Sequence, residues 1–151
     1  MRRAVLMNKT ESLVRELLEE YHSADPEEIC EKIGITVLEQ ELPERVNGFT
    51  VEMNGRSFVV LNPRLGYYEK RFTLAHELGH ILLHKGTNSF KLSCNTDFCV
   101  TKYEREADCF AAWLLMYNEQ RELCGMESVT SQDISKIAHI PPKVAESAFG
   151  C

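Results

Sequence analysis

An α+β fold is predicted by three features of the chain. Helical apolar stripes lie at both ends, an Asn-Gly pair separates two short β-type runs, and two long helices of buried character follow them. The expected order is N-terminal helices, a small, mainly antiparallel sheet, two long facing helices and a short C-terminal helical pair. The length of 151 residues suits a single domain. Residues 8–118 are expected to form its core and 119–151 a helical extension. With 44% apolar and 26% charged residues, the chain has enough core-forming material to argue against wholesale disorder. A net charge of −6 gives no global pull toward nucleic acid or an anionic membrane.

The elements follow in order. Thr10 to Tyr21 carries apolar residues at 13, 14, 17, 18 and 21, a helical stripe with Thr10 or Asn8 as its cap. Asp25-Pro26-Glu27-Glu28 opens a second helix, with Asp as N-cap and Pro at the first helical position, and Gly34 stops it. Ile35 to Glu39 is a short strand. Asn47 to Met53 and Arg56 to Asn62 flank Asn54-Gly55, a hairpin signal. Arg56 to Asn62 has the character of a strand that could sit at the edge of a groove beside the motif helix, where an extended peptide could add to it; the alternative is an internal strand paired on both sides. A long helix spans Tyr67 to His84, Lys85 to Lys102 is expected to be a loop, and Tyr103 to Met116 forms the second long helix. Ser131 to Ala138 and Pro142 to Ala148 make the final pair, joined by Ile140-Pro141.

His76 and His80 stand four residues apart, so one helix face presents two imidazoles a turn apart, able to share a tetrahedral ion. Glu77 sits about 100° from His76 around the same helix. It can reach a water acidified by zinc and take its proton, the chemistry of a His-Glu-x-x-His metallopeptidase. A catalytic zinc needs a third protein ligand. His84 continues the spacing but lies about 6 Å further along the axis, so it is assigned to the helix end or a pocket wall. Glu104, on the next helix, is the better candidate. Asp108 shares its face and can accept the spare N–H of a ligand histidine. Glu106 points about 200° away from Glu104 and is expected to face elsewhere. Gly79, Ala107, Ala111 and Ala112 are small enough to let the two helices approach closely.

Arg71-Phe72-Thr73-Leu74-Ala75-His76-Glu77-Leu78-Gly79-His80-Ile81-Leu82-Leu83-His84, followed by Glu104, Glu106-Ala107-Asp108 and Phe110-Ala111, resembles the ImmA/IrrE family of metallopeptidases. The resemblance covers roughly residues 10 to 118. It implies a zincin-like, gluzincin-type core with His76, His80 and Glu104 as zinc ligands and Glu77 as general base. It also implies a protein substrate, a transcriptional repressor of the helix-turn-helix kind found on phages and mobile elements.

Two other functions remain open at this level: a metal-holding regulator that binds a protein without cutting it, and a DNA-binding regulator using the tail. Asp133 to Ala138 and Pro142 to Phe149 have the spacing of a helix-turn-helix. The second helix offers only Lys143 as a positive charge, so a helical pair packed on the domain is the preferred reading and direct nucleic-acid binding is not expected. The short run after Arg2 and Arg3 is no signal peptide, and the longest apolar stretch, Phe110 to Tyr117, is too short to span a membrane, so a cytoplasmic location is expected. In that compartment the six cysteines are expected as free thiols, with Cys94–Cys99 the one pairing to consider.

Overall fold

The computed structural model describes residues 8–84 and 97–149. Helix α1 (Lys9–Tyr21) is capped by Asn8, whose side chain accepts the Glu11 N–H at 2.7 Å, and ends at His22 in the left-handed region. Helix α2 (Pro26–Ile33) starts as its sequence requires: Asp25 accepts the Glu27 N–H at 3.1 Å, and Gly34 closes the helix with a φ of 93°. The apolar stripes of both helices point inward, burying Val14, Leu17, Ile29 and Cys30.

Strands β1 (Thr36–Glu39), β2 (Gly48–Met53) and β3 (Arg56–Leu61) form one sheet in the order β1-β3-β2. The hairpin turns through Asn54 and Gly55, both at positive φ, and pairs Met53 with Arg56 and Gly48 with Leu61 in antiparallel register. The shorter β1–β3 ladder is parallel, with Val37 opposite Val59. The sheet is therefore mixed, its longer ladder antiparallel. Of the two placements open to Arg56 to Asn62, the edge position is ruled out: β3 is central and paired on both sides. Its Val59-Val60-Leu61 end is buried, and α2 delivers β1 to its far side by packing against that strand. Among the described residues each outer strand keeps one unpaired side, β1 at one edge and β2 at the other. The first residue of β2, Gly48, is forced by a close approach: a Cβ there would lie 2.7 Å from the Val60 carbonyl oxygen and 3.0 Å from Thr73 Cγ2. Buried Asn62 holds the loop that feeds β2, its amide donating to the carbonyls of Leu42, Pro43 and Val46 at 3.1–3.4 Å.

Helix α3 (Tyr67–Leu83) packs on β2 and β3 and, more extensively, on α4 (Asp97–Asn118). Helix α4 begins at Asp97, six residues before the expected Tyr103, so the loop expectation for 97–102 is corrected; residues 85–96 lie outside the described residues. Phe98, Cys99, Val100 and Thr101 are only modestly poor helix formers, and extending an existing helix is far cheaper than nucleating one. The acidic Asp97 also suits a helix N-terminus. The α3–α4 contact is close because Gly79 meets Phe110: a Cβ at Gly79 would lie 3.0 Å from Phe110 Cδ1 and 3.2 Å from its Cβ.

After the short α5 (Gln120–Leu123), α6 (Ser131–Ala138) opens with a capping box between Thr130 and Asp133, and α7 (Pro142–Phe149) completes the pair. Both pack on α4. Ile134, Ala138, Ile140 and Ala145 join the same buried core as Leu78 and Phe110, and Phe149 meets Trp113 edge-on at 4.9 Å. His139 stacks on Tyr68 of α3 at 3.6 Å. The tail helices thus contribute to the same buried core. No described helix is long and apolar enough to cross a membrane. Cys30 is fully buried, and burial with the charges of Glu27 and Asp25 pushes its thiol up to about 12, so it stays neutral. Cys124 is a free, exposed thiol. The considered Cys94–Cys99 pairing lies outside the described residues.

Candidate metal centre

The apolar residues of α3 decide which way its polar ones face. Leu74, Ala75 and Leu78 are buried against the core, which turns His76 and His80 toward α4. Among the described residues, His76, His80 and Glu104 each bring one donor atom to a common point, all within 4.8 Å of one another. His76 Nε2 and His80 Nε2 are 3.1 Å apart. Glu104 bridges them, Oε2 at 3.1 Å from His76 Nε2 and Oε1 at 2.9 Å from His80 Nε2.

This triangle fits a small divalent cation. Donors about 2.0–2.2 Å from a tetrahedral ion stand about 3.3–3.6 Å from each other, so the three groups, now 2.9–3.1 Å apart, need to open by only about half an ångström. The donor set, two imidazoles and a carboxylate, is the kind that borderline metals select. The Glu104 side chain is 51% exposed, which leaves one side of the cluster open to water.

Each histidine turns its other nitrogen to a partner. His76 Nδ1 lies 2.7 Å from Asp108 Oδ1. His80 Nδ1 lies 3.0 Å from His84 Nδ1, and His84 Nε2 lies 3.0 Å from Glu106 Oε2. His84 is the C-cap of α3, is 6% exposed and has the Tyr103 ring against it at 4.3 Å. Glu77, beside the cluster on α3, is 8% exposed.

The electrostatics follow from this crowding. Burial pulls the His76 imidazolium down, but the hydrogen bonds to Asp108 and Glu104, with the charges of Glu77 and Glu104, outweigh it and hold it up at about 10. Hydrogen bonds from His76 and His80 hold the Glu104 carboxyl well below the usual range against the opposing effect of its own burial. Burial raises Glu77, although His76 and His80 pull the other way. Burial lowers His84, against the hydrogen bond to Glu106.

Of the residues expected from the sequence, His76, His80 and Glu104 converge on one point, Asp108 meets His76 Nδ1, and Glu77 is buried within electrostatic reach of both ligand histidines. Glu106, expected to face elsewhere, meets His84 one turn beyond His80 on α3. The wheel arithmetic that set it aside considered α4 alone, whereas α4 crosses α3 and its neighbouring positions reach different turns. A signal was present: three histidines at positions 76, 80 and 84 are matched by three acids at 104, 106 and 108. An apolar depression of about 280 Å³ lined by Met116, Tyr117, Leu123 and Ile134 lies at the C-terminal half of α4, away from this cluster.

The sequence model of the IrrE N-terminal-like domain matches residues 30–139. The uncharacterized immunity region protein 2 of Bacillus phage phi105 is 31% identical over 132 residues, covering 87% of this chain and 84% of that protein. Metallopeptidase ImmA of Bacillus subtilis (strain 168) is 26% identical over 121 residues, covering 79% of this chain and 71% of that protein.

Proposed function

Because the chain belongs to the ImmA/IrrE family of metallopeptidases, we propose that it is a zinc-dependent endopeptidase that cuts a transcriptional repressor at one or a few bonds. The observation that carries this reading is the convergence of His76, His80 and Glu104 within 4.8 Å beside the buried carboxyl of Glu77. Zinc suits three nitrogen and oxygen ligands with an open side. When bound, it would supply a Lewis acid that polarises a carbonyl and acidifies water near neutral pH.

The chain's own residues divide the remaining work. His76 and His80 offer their Nε2 atoms, and Glu104 an oxygen, as the ligands. Asp108 accepts the His76 Nδ1–H, so that Nε2 is the nitrogen His76 turns to the ion. Glu77 is the general base: it takes the proton of the attacking water and returns it to the leaving amine. Its burial, which raises its affinity for a proton, suits both halves of that task. Residues 8–118 carry the catalysis, and 119–151 buttress α4.

The repressor reading rests on the family resemblance and on a relative that is a phage immunity region protein. A repressor substrate places the reaction in the cytoplasm. With β3 internal, the strand suited to pair with an extended substrate segment is β2, which lies against Thr73, one turn before Glu77. The test is incubation with casein and, separately, with a purified helix-turn-helix repressor encoded beside the gene, with and without chelator. Discrete repressor fragments, abolished by chelator and restored by zinc, are expected. Rapid digestion of casein with no defined repressor fragment would overturn the proposal.

A further inference from the structure

We propose that His84 and Glu106 are positioning residues for the metal centre: a one-way hydrogen-bond chain from His80 through His84 to Glu106 decides which nitrogen of His80 faces the ion. The inference rests on reading the cluster as a metal site. His80 Nε2 is the atom that meets Glu104 and His76, so it is the one that would bind. A neutral imidazole that binds through Nε2 carries its hydrogen on Nδ1, and His80 Nδ1 is 3.0 Å from His84 Nδ1. One of these two nitrogens must donate and the other accept.

Glu106 settles the direction. If His80 Nδ1–H donates, His84 accepts at Nδ1 and holds its own hydrogen on Nε2. That N–H then points at Glu106 Oε2, 3.0 Å away, a carboxylate that can only accept. Every hydrogen has a partner. The reverse direction puts the His84 hydrogen on Nδ1 and leaves its bare Nε2 facing a carboxylate oxygen, acceptor against acceptor. It also puts the His80 hydrogen on Nε2, where the ion must sit. His84 is 6% exposed, so water is not available to mend the mismatch. His76 reaches its carboxylate, Asp108, directly, while His80 reaches Glu106 only through His84. This explains why α3 carries a third histidine that is not itself near the common point.

The experiment uses the full chain, with His84→Phe, Glu106→Ala and the conservative Glu106→Gln. Zinc affinity is measured by competition with a chromophoric chelator. His84→Phe and Glu106→Ala should each bind zinc about 10–100-fold more weakly, and Glu106→Gln, which keeps an acceptor oxygen, should recover most of the loss. Ring-nitrogen magnetic resonance on the zinc-loaded chain supplies a second readout. In the unaltered protein His84 should be the Nε2–H form, its Nδ1 accepting from His80, a signature that packing alone would not produce. Unchanged zinc affinity in His84→Phe and Glu106→Ala, or a His84 in the Nδ1–H form, would overturn the inference while leaving the metal site intact. Loss of zinc in His84→Phe as complete as in His80→Ala would make His84 a ligand and also overturn it. If the unaltered chain binds no zinc, the inference and the proposed function fall together.

Discussion

Replacing Gly79 with alanine probes the distance between the two helices that build the site. In an exposed helix the change would stabilise by about 0.8–1.0 kcal/mol, because alanine loses less backbone entropy than glycine. Here the new methyl would lie 3.0 Å from Phe110 Cδ1 and 3.2 Å from Phe110 Cβ and Cγ. Phe110 is fully buried, and its Cβ is fixed to the backbone of α4, so no rotamer change relieves the contact. Helix α4 has to move by a few tenths of an ångström. Overpacking of this kind costs roughly 1–3 kcal/mol, which leaves a net loss of about 1 kcal/mol. The shift also carries Glu104 away from His76 and His80, where its oxygens now stand at 3.1 and 2.9 Å. Urea unfolding of the metal-free protein should show a lower midpoint, and chelator competition a several-fold weaker zinc affinity. A gain of the full ~1 kcal/mol with unchanged zinc affinity would refute the argument that Gly79 sets the helix spacing.

Glu77→Gln should keep the fold and the metal but lower cleavage by roughly 10²–10⁴-fold, since the amide takes no proton at neutral pH; near-normal turnover would remove Glu77 from the mechanism. Glu104→Ala should abolish stoichiometric zinc in elemental analysis while Glu106→Ala only weakens binding, and the opposite pattern would exchange their roles. His76 is raised from 6.5 to about 10 in the metal-free protein, so its partners' stabilisation is complete below about pH 6.5 and fades as pH rises through about 10. At pH 7 that imidazole is protonated, so zinc uptake should release about one proton, read by titration calorimetry in buffers of different ionisation heat; no release would contradict the assignment. Deleting residues 131–151 removes buried Ile134 and Ile140, worth roughly 3–6 kcal/mol together, and should lower the melting temperature sharply; a truncated chain of unchanged stability would show the tail to be separable.

The sequence by itself determined whatever depends on neighbours along the chain. The four-residue spacing of His76 and His80, the Asp25-Pro26 start and Gly34 stop of α2, and the Asn54-Gly55 turn are all local, because helix pitch and turn dihedrals are set by the backbone. The pairing of Glu104 with Asp108 on one face of α4 was legible for the same reason. Tertiary structure alone decided the rest. Strand β3 became central, not an edge, because α2 packs β1 against it, a choice between elements that no alternation within the strand records. Glu106 found His84 because the crossing of α4 over α3, held close at Gly79 and Phe110, sets which turn of one helix each residue of the other meets. A helical period says which face a side chain is on; the offset and crossing angle of two packed helices decide what that face touches.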